Sequence, residues 1–396
     1  MELMEIEDLK SPPRPPLERL LREAAIFLRT MKIHETIQID RDFNVSLKDS
    51  ERYHALKIIG VSKVPVTVDG NEKIDLTLDE LGFRDNFPRN IFRVCRDHSE
   101  LITSCWPTPL FFLRSFSGEL NEVWAKLEYL NPFSNSIKDR IGWYMLIDIL
   151  KNDPRGKDTK YVYEASSTNT GIALTCIAKN FGLRTKIYFP SSVQKSSDLY
   201  MKILGSEVVR VPEFLTTETI DRVKRDSEKD QALHINQFEN DANFITHLKF
   251  TAKEIDLQLE KIGKIPSRII CALGTSGHAS AIAFYFKNRY PGRVEVVGVQ
   301  PAKDEVIPGM RRVETGMKWI HMVEIDRIVD VTRVEAFKGL VKVARNEGLP
   351  VGFSSGAVVA ALEKLPKIEG VTVLVMPDHV YKYYEQLEKL LSTNSN

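Results

Sequence analysis

From Trp106 onward the sequence alternates short apolar, β-branched runs with longer apolar or amphipathic stretches, and this alternation limits the fold more than any other feature. Strand-like runs stand at 122–128, 161–165, 185–189, 207–211, 268–272, 294–299 and 371–376. Helix-like stretches stand among them at 141–150, 171–178, 196–204 and 279–286. Strands separated by helices pair in parallel, because a helical crossover returns the chain to the same end of the sheet. Strands that are apolar throughout need cover on both faces. The expected class is therefore α/β, with parallel sheets wrapped by helices on both sides. Two such sheets place a site in the cleft between them, near the carboxyl ends of the strands. No internal repeat is found.

At 396 residues the chain exceeds a typical single domain, so two or three units are expected. A formal net charge of +1 argues against a nucleic-acid surface and against a basic membrane-binding face. No apolar run reaches the roughly 18 residues of a spanning helix. Cys95, Cys105, Cys176 and Cys271 show no metal-ligand spacing and read as reduced thiols, which suggests a cytosolic (cytoplasmic) protein. Residues 1–16, acidic and then proline-rich, are unlike a signal peptide and read as a disordered lead-in. Residues 17–95 form a small α/β unit. Leu17, Leu20, Leu21, Ala24 and Leu28 mark one helix face, Ile33 to Asp40 a strand, Tyr53 to Ile59 a helix closed by Gly60, and Val64 to Val68 another strand. Residues 96–396 form the main body.

Four polar stretches in that body stand where a helix begins. Asn131-Pro132-Phe133-Ser134-Asn135-Ser136-Ile137-Lys138-Asp139-Arg140 follows one strand and opens a helix. A lysine at a helix N-terminus faces the positive end of the dipole, which disfavours its charged form. A free amine is what Schiff-base chemistry requires, so Lys138 is either a reactive amine or an ordinary surface lysine at a helix start. Ser166-Ser167-Thr168-Asn169-Thr170-Gly171 offers hydroxyls and exposed amides to a carboxylate or phosphate, although a plain N-cap turn would need only one of them. Gly274-Thr275-Ser276-Gly277-His278 lets backbone amides converge on an anion. It is neither a Walker loop nor Gly-x-Gly-x-x-Gly, so one phosphate group fits better than a dinucleotide. Gly352-Phe353-Ser354-Ser355-Gly356 again precedes a helix.

Together these residues match a family. Lys126-Leu127-Glu128, Asn131-Pro132 and Ser136-Ile137-Lys138-Asp139-Arg140 resemble the lysine motif of fold-type-II pyridoxal-phosphate enzymes, and more narrowly of the cysteine synthases. Ser166 to Gly171 resembles that family's Thr-Ser-Gly-Asn-Thr-Gly loop, and Gln237-Phe238, Asn240, Ala242-Asn243 and His247 its glutamine stretch. Gly274 to His278 stands at its phosphate loop, and Ser354 where it bonds the pyridine nitrogen. The likeness runs over about residues 100–390. It departs at Phe133-Ser134, Thr168, Ser276 and His278, of which Phe133-Ser134 and Thr168 replace family glycines. Those departures, with Pro308 to Gly316 and the extra N-terminal unit, resemble the archaeal O-phosphoserine sulfhydrylases. The N-terminal unit is similar to the ParB-like fold in Arg52-Tyr53-His54-Ala55, Gly60 and Val64-Pro65-Val66. That fold's Asp-Gly-His-His-Arg motif reads Lys48-Asp49-Ser50-Glu51-Arg52 here.

The resemblance implies a fold-type-II body of two open, parallel-rich subdomains with pyridoxal 5'-phosphate in the cleft. The smaller subdomain would cover about 128–240 and the larger 96–127 plus 241–390. Lys138 would carry the cofactor and take the substrate's α-proton. Gly274, Thr275, Ser276, Gly277 and His278 would hold the cofactor phosphate, Asn169 its 3'-oxygen and Ser354 its ring nitrogen. Ser166, Ser167, Thr168, Thr170 and Gln237 would bind the substrate carboxylate, and Arg311 the phosphate of O-phosphoserine. The implied reaction makes cysteine from O-phosphoserine and sulfide through an aminoacrylate, in a homodimer with no metal, nucleic acid or membrane partner. Rival readings are O-acetylserine sulfhydrylase, cystathionine β-synthase, serine or threonine dehydratase, and a ParB-like regulator with an inactive synthase body. His234 and His247 read as structural, and Arg312 as the partner of an acid such as Glu314.

Overall fold

The computed structural model describes residues 1–84 and 94–393. Its larger sheet has six strands, in the order Arg327–Val331, Glu295–Pro301, Pro266–Ala272, Gly370–Met376, Asn121–Leu127 and Leu110–Phe112. All neighbours are parallel except Leu110–Phe112, which runs antiparallel to Asn121–Leu127. A second, four-stranded sheet runs Glu207–Arg210, Arg184–Phe189, Tyr161–Ala165, Leu233–His234 and is parallel throughout. The α/β class with helix-covered parallel sheets is thus what the alternation of apolar runs predicts.

Two-sided burial explains why the central strands carry apolar residues on both faces. Ile269 and Cys271 enter the core on one face of the larger sheet, while Ile270 and Ala272 enter the core on the other. Val371, Val373 and Val375 alternate with Leu374 and Met376 in the same way. Helices Gly277–Arg289 and Phe353–Lys364 supply the opposing side chains on the two faces.

The N-terminal unit has a three-stranded sheet, in the order Glu2–Glu5, Lys63–Thr67 and Ile37–Gln38, and a ribbon of Lys32–Glu35 with Lys73–Thr77. Its expected end near residue 95 falls beside residues 85–93, which lie outside those described. Residues 1–16, expected to be a disordered lead-in, are ordered. Glu2–Glu5 pairs antiparallel with the open edge of Lys63–Thr67, and Ile6 and Leu9 are buried. The proline segment is held by Ser50 Oγ donating to Pro13 O at 2.8 Å and by His54 Nε2 lying 3.0 Å from Pro12 O. Buried Ile6, Leu9 and Pro12 and one edge strand order it, a signal that acidic and proline-rich composition hides. The single strand expected over 33–40 is two, Lys32–Glu35 and Ile37–Gln38, in different sheets. Buried Thr36 marks the change, its hydroxyl 2.9 Å from Thr67 Oγ1.

The unit is built onto the body through one continuous core. Leu20, Ala24 and Leu28 of helix Leu17–Thr30 belong to the same apolar cluster as Ile282 and Tyr285 of helix Gly277–Arg289. Polar ties flank this packing. Arg29 Nε donates to Asn288 Oδ1 at 3.0 Å, and the buried Lys253 Nζ donates to Gly60 O at 3.2 Å.

Candidate active site

Strand Asn121–Leu127 ends in the short turn Glu128–Leu130, and helix Lys138–Asn152 begins seven residues after Asn131 with Lys138 as its first residue. The intervening turn is wrapped around Asp139, whose carboxylate accepts the N–H of Phe133 at 2.7 Å, the N–H of Ser134 at 2.8 Å and the Ser134 hydroxyl. Ile137 N donates to Pro377 O at 2.8 Å, fixing the turn to the segment that follows strand Gly370–Met376. Lys138 therefore stands at the carboxyl ends of the central strands. Burial pushes its ammonium down to about 8, with Lys382 adding to this effect and Asp378 opposing it. A substantial share of Lys138 is a free amine at neutral to mildly alkaline pH, as carbonyl chemistry requires.

Beneath Lys138 four fully buried charges close on one another. Arg140 donates to Glu128 Oε2 at 2.6 Å and Oε1 at 2.9 Å, and to both Glu254 oxygens at 2.7 Å. Lys126 Nζ donates to Glu254 Oε2 at 2.6 Å. Two cations and two anions with saturated donors are tolerable in a dry core, whereas any one of them alone would not be.

The loop of small polar residues divides its labour. Ser166 Oγ turns inward and accepts the N–H of Thr168 at 3.0 Å and of Gly171 at 2.9 Å, so it caps the loop. Thr170 Oγ1 donates to Gln237 Oε1 at 2.8 Å, and Gln237 Nε2 donates to Ala165 O at 2.9 Å. Ser167 and Thr168 line the cavity. Asn169 Nδ2 donates to Asp378 Oδ2 at 2.8 Å, while its Oδ1 is buried without a partner. Ser354 Oγ donates to Asp378 Oδ1 at 3.3 Å, and Tyr383 OH also donates to that carboxylate.

The glycine loop presents the N-terminus of helix Gly277–Arg289, with Ser276 in the left-handed region at φ 71°. A Cβ on Gly277 would lie 2.1 Å from Asn243 Oδ1, and one on Gly274 would lie 2.6 Å from Gly309 O, so neither position has room for a side chain. Ser276 Oγ and His278 Nε2 are buried and have no partner among the described residues. Burial holds the His278 imidazole down to about 3 and that of His247, whose ring is 5.8 Å away, well below its usual value. Both rings are neutral at working pH. Among the described residues no cluster of metal-ligating side chains occurs.

A cavity of about 470 Å³ brings together Lys138, Ser167, Thr168, Gln237, Gly274, Thr275 and Arg311. Ser166, Asn169, Thr170, Ser276, Gly277, His278 and Ser354 do not line it. Arg311 Nε donates to Gly274 O at 3.0 Å, its guanidinium carbon lies 4.6 Å from the Phe238 ring centre, and its Nη1 has no partner. Arg312 turns away to Asp330 at 2.8 Å and to Glu314 at 2.9 Å, as the sequence reading expects. Asp378 and Lys382 were missed by sequence reasoning. Asp378 carries a signal nonetheless, since Pro377-Asp378 directly follows strand Gly370–Met376, at the strand end where such sites form.

Comparison with known proteins agrees with this geometry. A family model described as pyridoxal-phosphate dependent enzyme matches residues 102–378. Cysteine synthase B of Pseudomonas aeruginosa is 32% identical over 276 residues, 68% of this chain and 89% of that protein. A cysteine synthase of Helicobacter pylori is 31% identical over 295 residues, 70% of this chain and 94% of that protein. The crystal structure of a cysteine synthase from Entamoeba histolytica superposes with a TM-score of 0.66 at 27% identity, covering 78% of this chain and 94% of that one. The chain belongs to the pyridoxal-phosphate dependent enzymes. Within them it is a cysteine-synthase-like enzyme of β-replacement, on the fold-type-II architecture, and pyridoxal phosphate is its cofactor.

The residues present fit that group. Side-chain-free Gly274 and Gly277, a helix N-terminus and the unpartnered Ser276 Oγ and His278 Nε2 suit a phosphate, within the same site as the Lys138 amine. The unpartnered Asn169 Oδ1 is the matching orphan on the opposite sheet. Bound there, pyridoxal phosphate supplies an electron sink for bonds broken at the α- and β-carbons of an amino acid.

Proposed function

We propose that the protein makes L-cysteine from O-phospho-L-serine and sulfide, releasing inorganic phosphate. The observation that carries this reading is Arg311, which lines the cavity together with Lys138 and whose buried Nη1 has no partner among the described residues. A phosphoserine carries close to two negative charges near neutral pH and needs a compensating cation. Arginine offers paired donors for one phosphate. Burial lowers Arg311 only to about 10, so it stays charged at neutral pH.

In this reading Ser167 and Thr168 hold the substrate carboxylate, on a loop braced by Gln237 and Thr170. Lys138 Nζ takes the proton from Cα, and the phosphate departs from Cβ toward Arg311. Sulfide then bonds to the same β-carbon, and Lys138 returns the proton to Cα. The proposal includes a homodimer in the cytosol. The exposed rings of Tyr381 and Tyr384 support the first point, and the thiols of Cys176 and Cys271, neither of them in a disulfide, the second. O-acetylserine as the activated serine is the rival, since one structural relative from Helicobacter pylori is described as an O-acetylserine dependent cystathionine β-synthase.

Arg311→Ala separates the two. Loss of a charge-assisted contact to a buried phosphate costs about 2–5 kcal/mol, roughly 30- to 5000-fold in kcat/KM. That loss is expected with O-phosphoserine, while O-acetylserine, whose leaving group lacks the dianion, is much less affected. Equal losses on both substrates would remove Arg311 from the role.

A further inference from the structure

Lys382 is a second amine in the cavity and has no part in the chemistry described so far. It follows the Asp378 segment, and its side chain is 7% exposed. Its ammonium donates to Ser134 O and, at 3.3 Å, to Asn135 O, the two carbonyls of the turn that delivers Lys138. Asp139 holds the same turn from its N–H side, through Phe133, Ser134 and the Ser134 hydroxyl. The turn is thus gripped between one buried cation and one buried anion. Asn135 stands within it at φ 47°, a left-handed conformation that a free turn would seldom keep. Gln194 in turn donates to the Lys382 carbonyl and anchors that backbone from the neighbouring subdomain.

We propose that Lys382 is a positioning residue for Lys138: it fastens the turn before the reactive amine and keeps a fixed positive charge beside it. A second cation close to an amine favours the amine's neutral, nucleophilic form. The groups facing Lys138 are Asp378, which favours its charged form, Lys382, which opposes it, and the neutral His278 and His247. Burial lowers the Lys382 ammonium itself, and Asp378 and Asp139 oppose that by favouring its charged form. Without Lys382, Asp378 is left as the charged neighbour acting on Lys138. The inference rests on Lys138 as the amine that joins the cofactor, and not on which activated serine is consumed.

The test measures the rate at which full-length apo-protein condenses with pyridoxal 5'-phosphate, followed by its visible absorbance between pH 6 and pH 10. Lys382→Met should move the midpoint of this rate upward by about one pH unit, a nearly tenfold slower reaction at pH 7. Lys382→Arg keeps the charge and should stay near the wild-type midpoint. Should Lys382→Met fail to fold, Lys382→Gln keeps a donor for Ser134 O and carries the same charge test. An unmoved midpoint in the neutral variants overturns the proposal even if turnover falls, and so does an equal shift in Lys382→Arg. Lys138→Ala serves as the control. If it condensed as fast as wild type, the reading of Lys138 would fail instead, and with it the basis for Lys382.

Discussion

Thr168 sits at φ 126° and ψ −60°, a region that branched L-residues rarely enter. The family loop resembled by Ser166 to Gly171 has glycine there, the residue that adopts such angles most freely. Such a conformation costs about 1–3 kcal/mol and persists because its surroundings fix it. Here the Thr168 hydroxyl lies 2.8 Å from Ser197 Oγ, and its N–H donates to Ser166 Oγ at 3.0 Å. Sequence reading could see the departure but not its backbone angle. The buried Glu164, two residues before the loop's first serine, was missed altogether. Burial pushes its carboxyl up to about 8, from 4.5 in an exposed chain, and its Oε2 has no partner. Between those values the folded protein holds a proton that the unfolded chain has lost, so this group makes stability fall as pH rises from about 4.5 to about 8. Glu164→Gln should flatten that slope and raise the unfolding free energy at pH 8 by about 1–3 kcal/mol. Urea midpoints at pH 5 and pH 8 check it; an unchanged slope would mean that Glu164 is ionised in the native state.

At the scale of elements, long apolar strands and their helices were legible because two-sided burial leaves a continuous apolar run. The helix expected over 141–150 runs Lys138–Asn152, and the run at 122–128 became strand Asn121–Leu127. What the sequence could not display is how the elements are fastened. Lys126, Glu128 and Arg140 were legible as motif letters, yet their purpose appears only with Glu254, which lies on helix Lys253–Glu260. Glu254 joins the helix that carries Lys138 to strand Asn121–Leu127 through Arg140 and Lys126. Glu254→Ala leaves two buried cations facing one carboxylate, and should cost about 3–5 kcal/mol of stability. A denaturant titration reads this directly, and a loss below about 1 kcal/mol would show the quartet to be close to neutral for the fold. The orphaned Ser276 and His278, by contrast, lie at a strand–glycine–helix junction, which is itself a sequence signal.

At the scale of the whole molecule, the N-terminal unit is no appendage. The matched relatives and the family model account for the body, whereas Leu20, Ala24 and Leu28 of the added unit share a core with the helix behind the glycine loop. A chain beginning near residue 96 would bare Ile282, Tyr285 and their neighbours, together with the Lys253 ammonium. Such a truncation should be poorly soluble or, where recovered, should bind pyridoxal phosphate at least tenfold more weakly. Expression yield and cofactor titration against the full chain decide this, and unaltered affinity would make the unit dispensable for the site. Helix Gly277–Arg289 is buried at Ala279, Ile282, Ala283, Tyr285 and Phe286 alike. A helix enclosed on every side cannot revert to a solvent-facing one by a single substitution, so its outer residues and the unit that covers them are bound to change in step. Chains of this lineage should therefore carry a paired mark by which they can be sorted: an apolar outer face after the glycine loop wherever the extra unit is present, and a polar one wherever it has been lost.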